Sequence, residues 1–235
     1  VDVSELGWIK SSGEPARATL SYGEGAQITD STLQFRSADA RFDGDLRLSS
    51  GGQLQNLNVR EAYLKDFIDV SGEITREADD AFSSKLSGAF LDASAFFGDF
   101  GAVGGSGFSI PVKLDASIET LRLRNMLELN DATLSFESTR AGVKEVVARG
   151  NIGSSTDSSV VAAYVGPTAS SAARLRLQSD DAGFLMSALL GDQFVSGGSM
   201  TLNGQMARGE VPATLRLELE NVRMQNAPLL TQILS

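Results

Sequence analysis

The feature that most limits what this chain can fold into is an alternation of apolar and polar residues that recurs from end to end. Ala18, Leu20 and Tyr22 share one parity, as do Phe42, Gly44, Leu46 and Leu48. Ile68, Val70, Gly72 and Ile74 stand against Asp69, Ser71, Glu73 and Thr75. Val112, Leu114, Ala116 and Ile118 follow, then Ala132, Leu134 and Phe136, Leu175 and Leu177, and Met200, Leu202, Gly204 and Met206. The clearest run sets Leu215, Leu217 and Leu219 against Arg216, Glu218 and Glu220. A period of two belongs to strands with one face buried, so the chain reads as all-β, with about a dozen strands.

Turn-forming clusters separate the runs: Gly23-Glu24-Gly25, Ser49-Ser50-Gly51-Gly52, Gly153-Ser154-Ser155 and Arg208-Gly209-Glu210. Short turns join antiparallel neighbours, which predicts a meander. Many of the strands are about ten residues, and at about 3.3 Å per residue they would be about 30 Å long. In two places the apolar parity flips: between Leu129 and Ala132, around Asn130-Asp131, and between Leu219 and Val222, around Asn221. One extra residue at a β-bulge would return both halves to the same face and bend the strand.

Helical signals are few. Residues 181–190 begin with acidic capping residues and lead to Gly191, and residues 227–234 carry Pro228 in a first turn. A third short helix is expected near 92–100, carrying Phe96, Phe97 and Phe100. Three such helices cannot cover a dozen one-sided strands. A closed barrel, a two-sheet sandwich, or a curled sheet with something else against its inner face would each solve the problem. The residue pattern leaves all three open.

The inventory excludes several functions. With no histidine and no cysteine, Cys/His zinc sites and Ser-His or Cys-His nucleophile pairs are ruled out. No residue set for catalysis emerges, and no cofactor is implied. The net charge of −10 and the scatter of the 20 basic residues argue against nucleic acid and against electrostatic docking on anionic membranes. Asp180-Asp181 reads as a helix cap, and Glu77 with Asp79-Asp80 as a solvated turn. Gly101 to Gly107 would follow a helix and precede a strand, the reverse of a phosphate loop's order, so it reads as a connector. Phe90, Phe96, Phe97, Phe100 and Phe108 suggest either a plug under a loop or a cavity wall. No apolar stretch approaches the roughly 20 residues of a spanning helix. The chain starts without Met and stops within an apolar pattern, so we expect a piece of a longer protein.

The order of pieces near the end resembles a known family. Ser179-Asp180-Asp181-Ala182-Gly183-Phe184-Leu185, then Val195-Ser196-Gly197-Gly198-Ser199-Met200-Thr201-Leu202-Asn203-Gly204, resembles a segment of AsmA-like proteins in which a D-A-G helix precedes a GG-x-L-x-L-x-G strand. Leu217 to Ser235 resembles the strand and A-P-x-L-x-x-L-L-S helix that come after, and Pro111 to Thr139 resembles the family's strand pairs. The resemblance is strongest over the last 60 or so residues. It implies the C-terminal region of a TamB- or YhdP-like bacterial envelope protein, anchored in the inner membrane and extending through the periplasm. It also implies a long open groove with an apolar interior that conducts phospholipid between inner and outer membranes, and it carries no catalytic motif.

On this basis the chain, 1–235, is expected to be a single elongated β-groove segment. Acyl chains would lie against Leu114, Ile118, Leu134, Phe136, Leu175, Leu177, Met200, Leu202, Leu215, Leu217 and Leu219. The same residues would equally suit the core of an ordinary sandwich, since alternation identifies a buried face without saying what buries it. The other functional expectation is a scaffold whose strand edges recruit an outer-membrane or envelope protein by strand addition. The helices at 181–190 and 227–234 would gate the groove or cap a sheet edge.

Overall fold

The computed structural model describes residues 2–3, 8–9, 15, 17–24, 28–92, 110–123, 128–152, 159–168, 170–190, 195–206 and 213–224. Two short strands, β1 (Asp2–Val3) and β2 (Trp8–Ile9), pair with each other. Next come β3 (Arg17–Glu24), β4 (Ile28–Arg36), β5 (Ala40–Ser49), β6 (Leu54–Leu64), β7 (Ile68–Arg76) and β8 (Phe82–Asp92). They are followed by β9 (Val112–Arg122), β10 (Glu128–Thr139), β11 (Gly142–Ile152), β12 (Ser159–Val165) and β13 (Arg174–Ser179). A helix, α1 (Ala182–Leu190), leads to β14 (Val195–Ser196), β15 (Ser199–Gln205), β16 (Thr214–Glu220) and β17 (Arg223–Met224).

Thirteen of these strands, β3 to β13 with β15 and β16, form one sheet in chain order, with β3 at one edge and β16 at the other. The sheet is open and curled, and it is not closed into a barrel. Besides it the described residues form only the two-stranded pairs β1–β2 and β14–β17, and Val195 of β14 joins the core on one flank, so of the three solutions open to a one-sided meander the curled sheet is the one adopted.

The meander departs from the antiparallel expectation at a single step. β8 and β9 run parallel, Phe82 beside Val112 through to Asp92 beside Arg122. Parallel neighbours cannot be joined by a tight hairpin and need a crossover of a dozen residues or more. The long glycine-containing connector between Asp92 and Pro111 was the sign of this. Residues 93–109 lie outside the described ones, as do Phe96, Phe97, Phe100, Phe108, the helix expected at 227–234 and all of the helix expected near 92–100 except Asp92, which ends β8 instead.

Bulges keep the apolar side chains on one face. On β11, Ala148 and Ile152 stand four apart, hence on the same face, while their β10 partners Leu134 and Leu129 stand five apart. The additional residue is accommodated around Asp131, whose φ is 50°, as the parity flip predicted. β6 does this twice: Leu54, Leu57, Val59, Ala62 and Leu64 step by three, two, three and two along partners on β5 that are evenly spaced from Leu48 to Ala40. At Asn221 the expectation fails. Ser199 pairs with Glu220 before the break and Ser196 with Arg223 after it, so both strands pass two residues and neither gains one. Gly197 and Gly198 (φ 61° and 70°) face Asn221 (φ 55°), and the ladder is interrupted by matched left-handed residues instead.

The polar face is laced with charge. Arg60, in the β6 bulge, donates to Asp43 and Asp45, and Asp45 also accepts from the Thr32 hydroxyl at 2.7 Å. That hydroxyl and then Arg60 hold the Asp45 carboxyl below its usual range. Arg41 pairs with Glu61 at 2.6 Å and lies over the Tyr63 ring at 4.0 Å. Glycine is required where strands crowd. A Cβ on Gly72, which has φ 150°, would sit 2.0 Å from the Lys85 carbonyl oxygen. Gly72→Ala is therefore expected to destabilise the chain by about 3 kcal/mol, the upper range for forced overpacking, measured as a fall in the urea midpoint. Ala at exposed Gly51, with only the Ser49 hydroxyl 3.8 Å from a Cβ, should leave that midpoint nearly unchanged.

Candidate apolar binding face

Following partners from strand to strand draws rows across the whole sheet. The middle row runs Leu20, Leu33, Gly44, Val59, Gly72, Leu86, Ala116, Leu134, Ala148, Ala162, Leu177, Leu202, Leu217. Each step is a direct cross-strand pair, and no member carries a polar side chain. Twelve spacings of about 4.8 Å make this apolar strip about 58 Å long, measured along the sheet.

A row on either side flanks it. On one side lie Ser84, Leu114, Phe136, Val146, Tyr164, Leu175, Gly204 and Leu215. On the other lie Phe42, Ala62, Val70, Gly88, Ile118 and Ala132, and further along Val160, Ser179, Met200 and Leu219. The eleven residues expected to line a groove thus share one face and fall on three adjacent rows. Tyr164, beside Val146 and Leu175 in its row, has its phenol pushed above its ordinary range by burial.

Their surroundings differ. Ile118 and Met200 are buried within packed clusters, and neither is open to a ligand in this structure. Leu177, Leu202 and Leu219 are partly buried and pack against the larger cluster. Leu114, Leu134, Phe136 and Leu175 are half-buried. Leu215 and Leu217 are exposed, at 68% and 47%.

The larger cluster explains this gradient. Ala182 and Leu185 of α1, with Val195, pack on Leu121, Leu129, Ala132, Ile152, Val160 and Met200. The helix therefore covers one flank of the apolar face between β9 and β15. Asp181 caps it, its Oδ1 accepting from the Phe184 backbone N–H at 2.9 Å. Asp180 takes a different role, accepting from the Ser159 hydroxyl at 2.8 Å. At Gly183 a Cβ would lie 3.0 Å from the Ser196 Cα, so the helix sits close on β14.

Two depressions bordered by described residues both take in residues of the polar face. One, of about 350 Å³, is bordered by Lys85, Asp115, Ser117, Thr133, Ser135, Val147 and Arg149 from the polar face, with Leu86, Ala116 and Leu134. The other, of about 190 Å³, lies around Gln178, Asp180, Thr201, Glu218 and Glu220. Among the described residues the middle row of the apolar face runs unbroken from β3 to β16. The Glu77 to Ala81 segment is a turn, closed by Asp80 N–H to the Glu77 carbonyl at 3.1 Å and by Ala81 N–H to Asp79 Oδ1 at 3.2 Å. Phe90 belongs to β8 and has Arg122 over its ring at 4.7 Å.

Sequence reasoning missed the strip's continuation through Leu33, Val59, Leu86, Ala148 and Ala162. The signal was present at β6 as two further parity flips, and on β12 it was diluted by small residues. Compared with protein families, curated proteins and solved structures, the chain matches none of them.

The two kinds of lining position should respond differently to truncation. Leu129→Ala, at a side chain only 2% exposed, should lose about 3 kcal/mol of stability in a denaturant titration. Leu217→Ala should lose less than about 1 kcal/mol. Asp181→Ala, which removes the cap of α1, should lose about 1 kcal/mol.

Proposed function

We propose that the apolar strip is a gutter for the acyl chains of phospholipid, and that the chain is a periplasmic segment of an AsmA-like protein that conducts lipid between inner and outer membranes. The parent protein would be anchored in the inner membrane. One observation carries the reading: an uninterrupted row of apolar residues crosses all thirteen strands of an open sheet, and only one flank is covered, by α1 and the short β14–β17 pair. Each methylene moved from water onto such a surface gains up to about 0.8 kcal/mol. A strip without fixed charges offers many similar contacts and no single deep well, so a bound chain could slide along it. Headgroups would remain on the open side, in water. This role needs no catalytic residue.

A second reading has its own support. The edge strands β3 and β16 have no strand neighbour on their outer sides among the described residues. Strand addition there would recruit an outer-membrane or other envelope protein, making the chain a scaffold for assembly.

Lipid capture is tested by purifying the chain from cells and extracting it for native mass spectrometry. Phospholipid should co-purify, and a photo-reactive residue at position 217 should label it. Leu217→Asp should sharply reduce lipid carried while leaving the thermal midpoint within a few degrees. Leu177→Asp should in addition lower the thermal midpoint, because Leu177 is partly buried against the α1 cluster and a desolvated, unpaired charge there is penalised. A lipid-free protein that is not labelled at 217 rejects the gutter.

A further inference from the structure

The two edges of the sheet match each other. We infer that copies of this chain join end to end, β16 of one against β3 of the next, so that the apolar strip continues across the junction. Eleven neighbouring pairs in the sheet are antiparallel and one is parallel. A strictly antiparallel meander of thirteen strands would end with both edge strands pointing the same way. The single parallel step reverses the second, so β3 and β16 point in opposite directions. A copy placed beside another in the same orientation therefore presents an antiparallel partner, which tolerates direct strand addition.

Register follows from the rows, because a slip of one residue would turn the apolar set to the wrong face. Continuing them places Leu217 opposite Leu20 and Leu219 opposite Ala18. Leu20 (63% exposed), Leu215 (68%) and Leu217 (47%) are large apolar side chains left in water at the two ends of the strip. On the polar face the same register sets Glu220 opposite Arg17 and Glu218 opposite Thr19. Between Leu215 and Glu220, β16 carries one arginine and two glutamates, and Arg17 balances the excess. Pairing β16 with a second β16 would instead bring four glutamates to two arginines, and would leave each β3 edge unpaired. A head-to-tail contact repeats, so it yields a ladder of oligomers and no closed dimer.

The chain has no cysteine, which makes a clean crosslinking test possible. Leu20→Cys and Leu217→Cys proteins are prepared separately, mixed, and oxidised. Thr19→Cys with Glu218→Cys repeats the test one residue along, at the other kind of ladder site. Each mixture is expected to give a disulfide dimer that neither protein forms alone, and the unmodified chain should sediment as concentration-dependent oligomers. Glu220→Arg should weaken association about fivefold, the size of a good surface ion pair, and the double variant Arg17→Glu/Glu220→Arg should restore it. Circular dichroism on each variant confirms that the sheet is retained. A chain that is monomeric at every concentration overturns the inference, as does self-linking by Leu217→Cys alone, which would mean that β16 pairs with β16. The join does not rest on the gutter reading: a strictly monomeric chain that carries lipid rejects the one and keeps the other.

Discussion

Everything in this structure depends on cross-strand register. In a sheet with one apolar face, sliding a strand by one residue exchanges that face for the polar one along its whole length. Twelve neighbouring strand pairs must therefore agree, and this sequence does not alternate perfectly enough for them to agree without correction. The bulges in β6 and β10, and the register shift between β7 and β8, supply it. Each absorbs a residue where the apolar parity changes, and each bends its strand. The device that keeps the middle row apolar is thus also one that curls the sheet.

The two faces solve different problems. On the polar side, Arg60 with Asp43 and Asp45, and Arg41 with Glu61 and Tyr63, hold adjacent strands in step while remaining hydrated. Exposed pairs of this kind contribute little net stability, but a slipped register would separate them. On the apolar side, stability comes from side chains of neighbouring strands packing together, as Val70, Ala116 and Ile118 do, and from α1. The edge strands share little in the packing: every described side chain of β3 is exposed, and on β16 only Leu219 packs against the cluster.

Much of this was legible in the residues. The strands, the helix at 182–190 with its Asp181 cap, the bulge at Asp131 and the common face of the eleven groove residues all follow from local patterns. What escaped was non-local or compensated. The parallel step at β8–β9 depends on how the chain returns after Asp92, and alternation looks the same in either direction. At Asn221 the parity flip was visible, but its partner strand breaks at the same level with Gly197 and Gly198, which one strand cannot reveal. The burial of Ile118 and Met200, against the exposure of Leu215 and Leu217, depends on where the helix docks, and a strand's own alternation does not encode that.

The docking of α1 has a consequence for the shape of the strip. Over β5 to β8 no described helix covers the middle row or the neighbouring row of Phe42, Ala62, Val70 and Gly88. From β9 to β15 the helix occupies one bank, burying Met200, Val160 and Leu129 beneath it. What stays half-exposed there is the middle row from Leu134 to Leu202 and the row on the far side, Phe136, Val146, Tyr164 and Leu175. Adjacent rows on one face are about 7 Å apart. The strip therefore tapers from a wide floor to a lane one row-spacing across before it opens again at Leu215 and Leu217. If the strip carries acyl chains as proposed, those that lie abreast at one end would have to pass the helix in single file.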